Sequence, residues 1–150
     1  MRFVPPLAVF LAALALVGCD GNGAGGGHEW AGPPDPEAAG TVEVGEFAEH
    51  QESVDEPWEG SAPMAAAEFL RLDERTATKT SIVGTAGPEG TGPETVVVTL
   101  DGLLDDSIRA ERWTLVFEPE NETYLLTSAE WAQRCQAGRG HQDFSVEPCV

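Results

Sequence analysis

Positive charge is what this chain has least of. Lysine occurs once, at Lys79, and Lys and Arg together number 8 against 26 Asp and Glu, for a formal charge of −18. Binding to nucleic acid rests on neutralising phosphates with cations, so that class of partner is excluded. A peripheral hold on anionic lipid through a basic patch is excluded for the same reason. No apolar run reaches the ~20 residues that a membrane-spanning helix needs. There is no Gly-x-Ser-x-Gly elbow for a serine nucleophile, no Cys-x-x-Cys knuckle, no 12-residue calcium loop and no internal repeat. Three cysteines, Cys19, Cys135 and Cys149, are the whole thiol inventory.

Arg2 is followed by the apolar run Phe3 to Val17, which ends in Leu16-Val17-Gly18-Cys19. The run is too short to span, begins on a charge and leaves through a small residue, as export signals do. Leu16 to Cys19 resembles the lipobox of bacterial lipoproteins. The resemblance implies that residues 1–18 are a signal peptide and that Cys19 is lipidated and becomes the mature N-terminus. It also implies an extracytoplasmic protein tied to the cell membrane of its envelope. Because one acyl chain binds only marginally, the two or three chains of such a cysteine, palmitate among them, are what make the anchor stable.

Residues 19–60 read as an acidic, Gly/Pro-rich flexible tether. Residues 20–60 hold 11 acidic side chains and no Lys or Arg, and include Gly-rich and Pro33-Pro34-Asp35-Pro36 stretches. Glycine entropy, proline geometry and like-charge repulsion all oppose a core there. Glu43, Glu46, Glu49 and Glu52, with Asp55, could form one face of a short helix. Gly45 and the missing cations favour a solvated or partner-ordered segment instead. His28 and His50 are expected to be solvated. Trp30 and Trp58 are apolar spots that could dock on the domain, on a partner or at a membrane interface.

Residues 61–150 read as a small α+β domain. Ser61-Ala62-Pro63 suits a helix start, and Met64, Ala67, Phe69, Leu70 and Leu72 follow at helical spacing. Thr76 to Val83 and Thr95 to Leu100 are β-branched strands, with a glycine-rich turn from Gly84 to Gly92 between them. Trp113, Leu115 and Phe117 alternate on a half-buried strand, and the turn at Pro119 to Thr123 leads into a returning strand through Tyr124, Leu126 and Ser128. The expected architecture is one N-terminal helix packed on a three- to four-stranded antiparallel meander, with a disulfide-closed C-terminal loop.

The stretch from Trp131 to Cys149 carries Cys135, Gly138-Arg139-Gly140-His141, Asp143-Phe144-Ser145 and the closing Cys149. It resembles the tail of small, uncharacterised exported domains of high-GC bacteria. The resemblance implies a Cys135–Cys149 disulfide and an α+β fold, and no activity. Once Cys19 is lipidated the two remaining cysteines are an even pair in an exported chain, for which a disulfide is the default. It would close a loop worth roughly 3 kcal/mol. The competing use is a zinc site of Cys135, His141 and Cys149, completed by Asp143 or Glu147; oxidation of exported thiols argues against it. Trp131 is expected beside the disulfide.

Arg139, His141 and Asp143 are the candidate ligand-binding residues, since glycines expose N–H groups beside a cation and a histidine. The same glycines also suit a plain tight turn. A His141, Asp143, Ser145 triad is disfavoured because no nucleophile elbow such as Gly-x-Ser-x-Gly accompanies it. Asp101, Asp105 and Asp106 read as a cation site or a turn. Two functions follow: a non-enzymatic lipoprotein that binds an envelope protein or small ligand, or a small hydrolase or lyase using the His141 region. No cofactor and no metal is expected.

Overall fold

The computed structural model describes residues 29–88 and 92–150. The signal segment, Cys19 and His28 lie outside the described residues. The elements are β1 (Thr41–Val42), α1 (Gly45–Ser53), a 3-10 turn (Pro57–Gly60), α2 (Ala62–Phe69), β2 (Ala77–Thr85), β3 (Glu94–Leu103), β4 (Ile108–Glu120) and β5 (Thr123–Cys135). All pairing is antiparallel, in the order β1-β5-β4-β3-β2.

This corrects the expected single helix on a three- to four-stranded meander. The sheet has five strands and dominates the fold, and two short helices lie on it. The extra strand and helix come from residues assigned by composition to a tether. Val42 and Phe47 are buried in the core with Trp30, because large apolar side chains gain more from burial than their acidic neighbours lose by staying at the surface.

Alternation decides the two faces of the sheet. Val96 and Val98 pair with Leu115 and Trp113, and Leu115 pairs with Ala129. Together with Phe117 and Leu126 they form the buried face. Ala62, Ala65 and Ala66 are the buried residues of α2, and such small side chains let the helix backbone approach the sheet closely while Phe69 fills the centre. Asn121, with φ of +56°, makes the two-residue turn between Glu120 and Thr123, a backbone geometry that asparagine tolerates.

Trp30 is an anchor of this core. Its indole N–H donates to the Phe69 carbonyl at 2.8 Å, and its ring meets Phe47 edge-on at 5.0 Å and stacks on Phe69 at 5.8 Å. Arg71 donates to the Trp30 carbonyl from the end of α2. His50, expected to be solvated, lies between Trp30 at 6.3 Å and Trp58 at 6.1 Å. Trp131 packs on the same core cluster.

α1 fastens residues 45–53 to the outer edge of β5. Gln51 sits one helical turn after Phe47, on the buried face. Its amide donates to the Tyr124 carbonyl at 2.9 Å, and its side-chain oxygen accepts from the Leu126 N–H at 3.0 Å. One glutamine thus takes the place of a short stretch of neighbouring strand. Trp30→Ala is expected to cost about 3 to 5 kcal/mol of unfolding free energy. Gln51→Ala is expected to cost about 1 to 3 kcal/mol, since it leaves two backbone groups without partners. Urea unfolding measures both, and unchanged midpoints would mean that residues 29–60 are a loose tether after all.

Candidate functional site

The C-terminal loop is built around the disulfide. Cys135 and Cys149 are bonded, with Cα atoms 5.4 Å apart. Cys135 is fully buried, at the end of β5. Gly138 and Gly140 have φ of +81° and +138°, and a Cβ on Gly140 would lie 2.9 Å from the Cys135 sulfur. These glycines therefore serve the turn and the close approach to the bridge. Cys135, His141 and Cys149 do place their ligand atoms within 4.8 Å of one another. Both thiols are consumed by the disulfide, so they supply no thiolate to a metal while it persists.

His141 faces main chain on both sides. Nδ1 lies 2.8 Å from the Asp143 carbonyl oxygen and Nε2 lies 2.8 Å from that of Glu147. Two acceptors require two N–H donors, so this geometry selects the imidazolium. The Glu147 carbonyl first, then that of Asp143, raises the pKa above the ordinary 6.5, and the nearby carboxylates of the same residues add to the shift. A histidine held in this way is an internal clamp with neither nitrogen turned toward a substrate.

The other two candidates do not join it. Arg139 is exposed and ties the tail through its backbone, donating to the Gln136 carbonyl and accepting from the Val150 N–H. Among the described residues, no hydrogen bond or ion pair links the Arg139 guanidinium, the His141 ring and the Asp143 carboxylate. Asp101 and Asp105 are also occupied. Burial raises the Asp101 pKa, but hydrogen bonds from Arg109 and Arg134 outweigh it and lower the value. Asp105 accepts from the N–H groups of Ile108 and Ser107, which lower its pKa and make it a turn residue.

Concave surface occurs elsewhere, on the two sides of the strap that leads from Trp30 to Pro36. One cleft of about 470 Å³ runs between residues 31–36 and the sheet, with Leu70, Arg71, Glu74, Arg75, Glu111, Trp113 and Trp131 on the other side. Arg75 pairs with Glu111, and its guanidinium lies 5.7 Å from the centre of the Trp113 ring. The Trp113 indole N–H donates to the same Glu111 carboxylate at 3.3 Å. Indole faces, prolines and fixed charges of both signs thus line one depression. Its ionisable groups are Asp35, Glu74 and Glu111 with Arg71 and Arg75, and of these Arg71 pairs with Glu74 and Arg75 with Glu111.

The second cleft, also about 470 Å³, is lined by Trp30 and His50 with the carboxylates of Glu29, Glu46 and Glu49. His50 Nδ1 is buried without a hydrogen-bond partner among the described residues. Sequence reasoning missed both depressions because their walls come from segments far apart in the chain. The pairing of Trp113 with Glu111 two residues earlier, on the same strand face, was the one local signal available.

Comparisons with family models, with curated proteins and with solved structures return no match for this chain.

The His141 clamp has a pH signature with a definite sign. Its folded pKa lies above the unfolded value, so its contribution is complete below 6.5 and is lost as pH rises through the folded pKa. Stability measured by urea unfolding should fall across that window in the wild type. His141→Ala should show a smaller fall, and parallel curves for the two proteins would remove the clamp.

Proposed function

We propose that the chain is a lipid-anchored extracytoplasmic binding protein without catalytic activity. Its ligand seat, in this reading, is the cleft of Trp113, Trp131 and the Arg75–Glu111 pair. The observation that carries it is the combination, in one depression of about 470 Å³, of two indoles with a fixed cation and anion. Ligand sites combine apolar walls with oriented polar groups, and here indoles and prolines share the lining with five charged side chains. It suits a small ligand, or a segment of an envelope protein, that offers a ring or prolyl face to the indoles. A carboxylate or amine on that ligand would meet Arg71 and Arg75 or Asp35 and Glu74.

The anchor rests on Leu16 to Cys19 and its resemblance to the lipobox. Ten residues, 20–29, separate Cys19 from Trp30. At full extension they reach roughly 40 Å, so an anchored domain works close to its membrane. The hydrolase or lyase alternative draws no support from His141, whose two nitrogens are engaged by carbonyl oxygens.

Detergent phase partition tests the anchor: the wild type should enter the detergent phase, and Cys19→Ser should stay in the aqueous phase or uncleaved. A fragment set containing prolyl peptides and short oligosaccharides tests the cleft by NMR. Binders should shift the Trp113 and Trp131 indole N–H resonances, and Trp131→Ala should weaken them about tenfold, or about 1.4 kcal/mol. Shifts confined to Arg139, His141 and Asp143 would move the seat to the C-terminal loop.

A further inference from the structure

The two edges of the sheet are treated differently. The outer edge of β5 is covered by Gln51, Gly40, β1, Ser145 and the His141 carbonyl, whereas among the described residues no strand pairs with the outer edge of β2. β2 is nine residues long and pairs with β3 without a register shift. It contains no proline, and its only charge is Lys79. A long edge strand with no proline, no register shift and a single charge can template another strand.

Two further features concentrate at this edge. Ile82 and Val83, which are 39 and 55% exposed, are two of the six exposed large apolar residues among the described residues. Ile82 lies on the α2 side of the sheet, opposite Val98. Val83 lies on the other side, opposite Val97. Residues 75–88 are also the longest stretch after Asp20 without an acid, in a chain whose charge is −18. Two copies repel each other almost everywhere else; here the strand itself contributes no carboxylate, and the Glu94 side chain over Gly84 is the acid that reaches it.

We propose that the β2 edge is a self-association surface, on which two copies of this chain pair their β2 strands antiparallel about a two-fold axis through Ser81. Ser81 is the midpoint of Ala77–Thr85, so this register overlaps the whole strand. Ser81 meets its counterpart, a hydroxyl pair that suits directly opposed positions. Lys79 lies opposite Val83 of the second copy, over which its alkyl stem packs while its ammonium stays in water. Thr80 faces Ile82, and the two Ile82 side chains become diagonal neighbours on one face. Gly84 faces Thr78. The two five-stranded sheets become one, and the contact is isologous and closed. An acidic peptide would find only Lys79 to pair with on the strand, which is why the second copy is the occupant the surface fits.

The test uses the full chain in mild detergent with single cysteines placed for cross-linking. Ser81→Cys should form a covalent dimer several-fold more than Leu104→Cys, whose side chain is 89% exposed in the β3–β4 loop, beyond the Ala77 end of the strand rather than at its midpoint. Added salt should increase the yield by screening the acidic surfaces. Val83→Glu, introduced into the Ser81→Cys chain, should abolish the excess while leaving the melting temperature unchanged. Equal cross-linking at positions 81 and 104, or an excess that survives Val83→Glu, would overturn the proposal. So would a wild type that sediments as a monomer at every concentration and salt level.

Discussion

The outer edge of β5 is the constraint on which this fold depends. A strand at the margin of a sheet presents a row of N–H and C=O groups, and those covered without a partner cost about as much as a lost hydrogen bond. Here several parts of the chain take groups along that edge. Gln51 serves Tyr124 and Leu126, β1 serves Ala129 and Glu130, and the Gly40 carbonyl accepts from the Trp131 N–H. Ser145 then exchanges two hydrogen bonds with Gln133, and the His141 carbonyl accepts from the Cys135 N–H. The N-terminal and C-terminal segments are therefore held by one strand. The disulfide and the His141 clamp keep the second of them in place.

Four strands and α2 were legible because their information is local. Val96, Val98, Trp113, Leu115 and Phe117 alternate, and α2 follows Ser61 as expected, although it buries Ala62, Ala65, Ala66 and Phe69 while Met64, expected on its apolar stripe, is exposed. Residues 29–60 were not legible because their order is tertiary. Ten acids, with glycines and prolines, dominate the composition of that part of the chain, while Trp30, Val42 and Gln51 bind partners 39 to 87 positions away, which no short window contains. α1 buries only Phe47 and Gln51, so its pattern of glutamates looks like a solvated segment even where it is a helix. Packing outweighs propensity for so short an element.

The candidate site shows the same division. Gly138 to His141 stands out in sequence, and in space its features satisfy one another: glycines pass the disulfide, and the histidine caps carbonyls of its own loop. Conspicuous residues close together in sequence here stabilise a turn. The cleft is assembled from residues 31–36, the end of α2, the middle of β4 and Trp131, whose spacing carries no motif. Only register puts Trp113 opposite Trp131, and the sheet register emerges from the whole meander.

The strap from Trp30 to Pro36 joins these observations into one mechanical argument. Its first residue is fixed by Phe69 and Arg71, and its last residues lead through Gly40 to the β5 edge. Ala31 and Gly32 wall both clefts, so the two depressions share a segment held at both ends. A segment pinned at two points resists displacement more than a free tether, because moving it breaks core contacts as well as surface ones. On the proposed reading, the membrane anchor lies only ten residues before this strap. A ligand in the cleft and the lipid at Cys19 would then act on neighbouring points of the same short segment. That is a tighter coupling than a forty-residue flexible linker could provide.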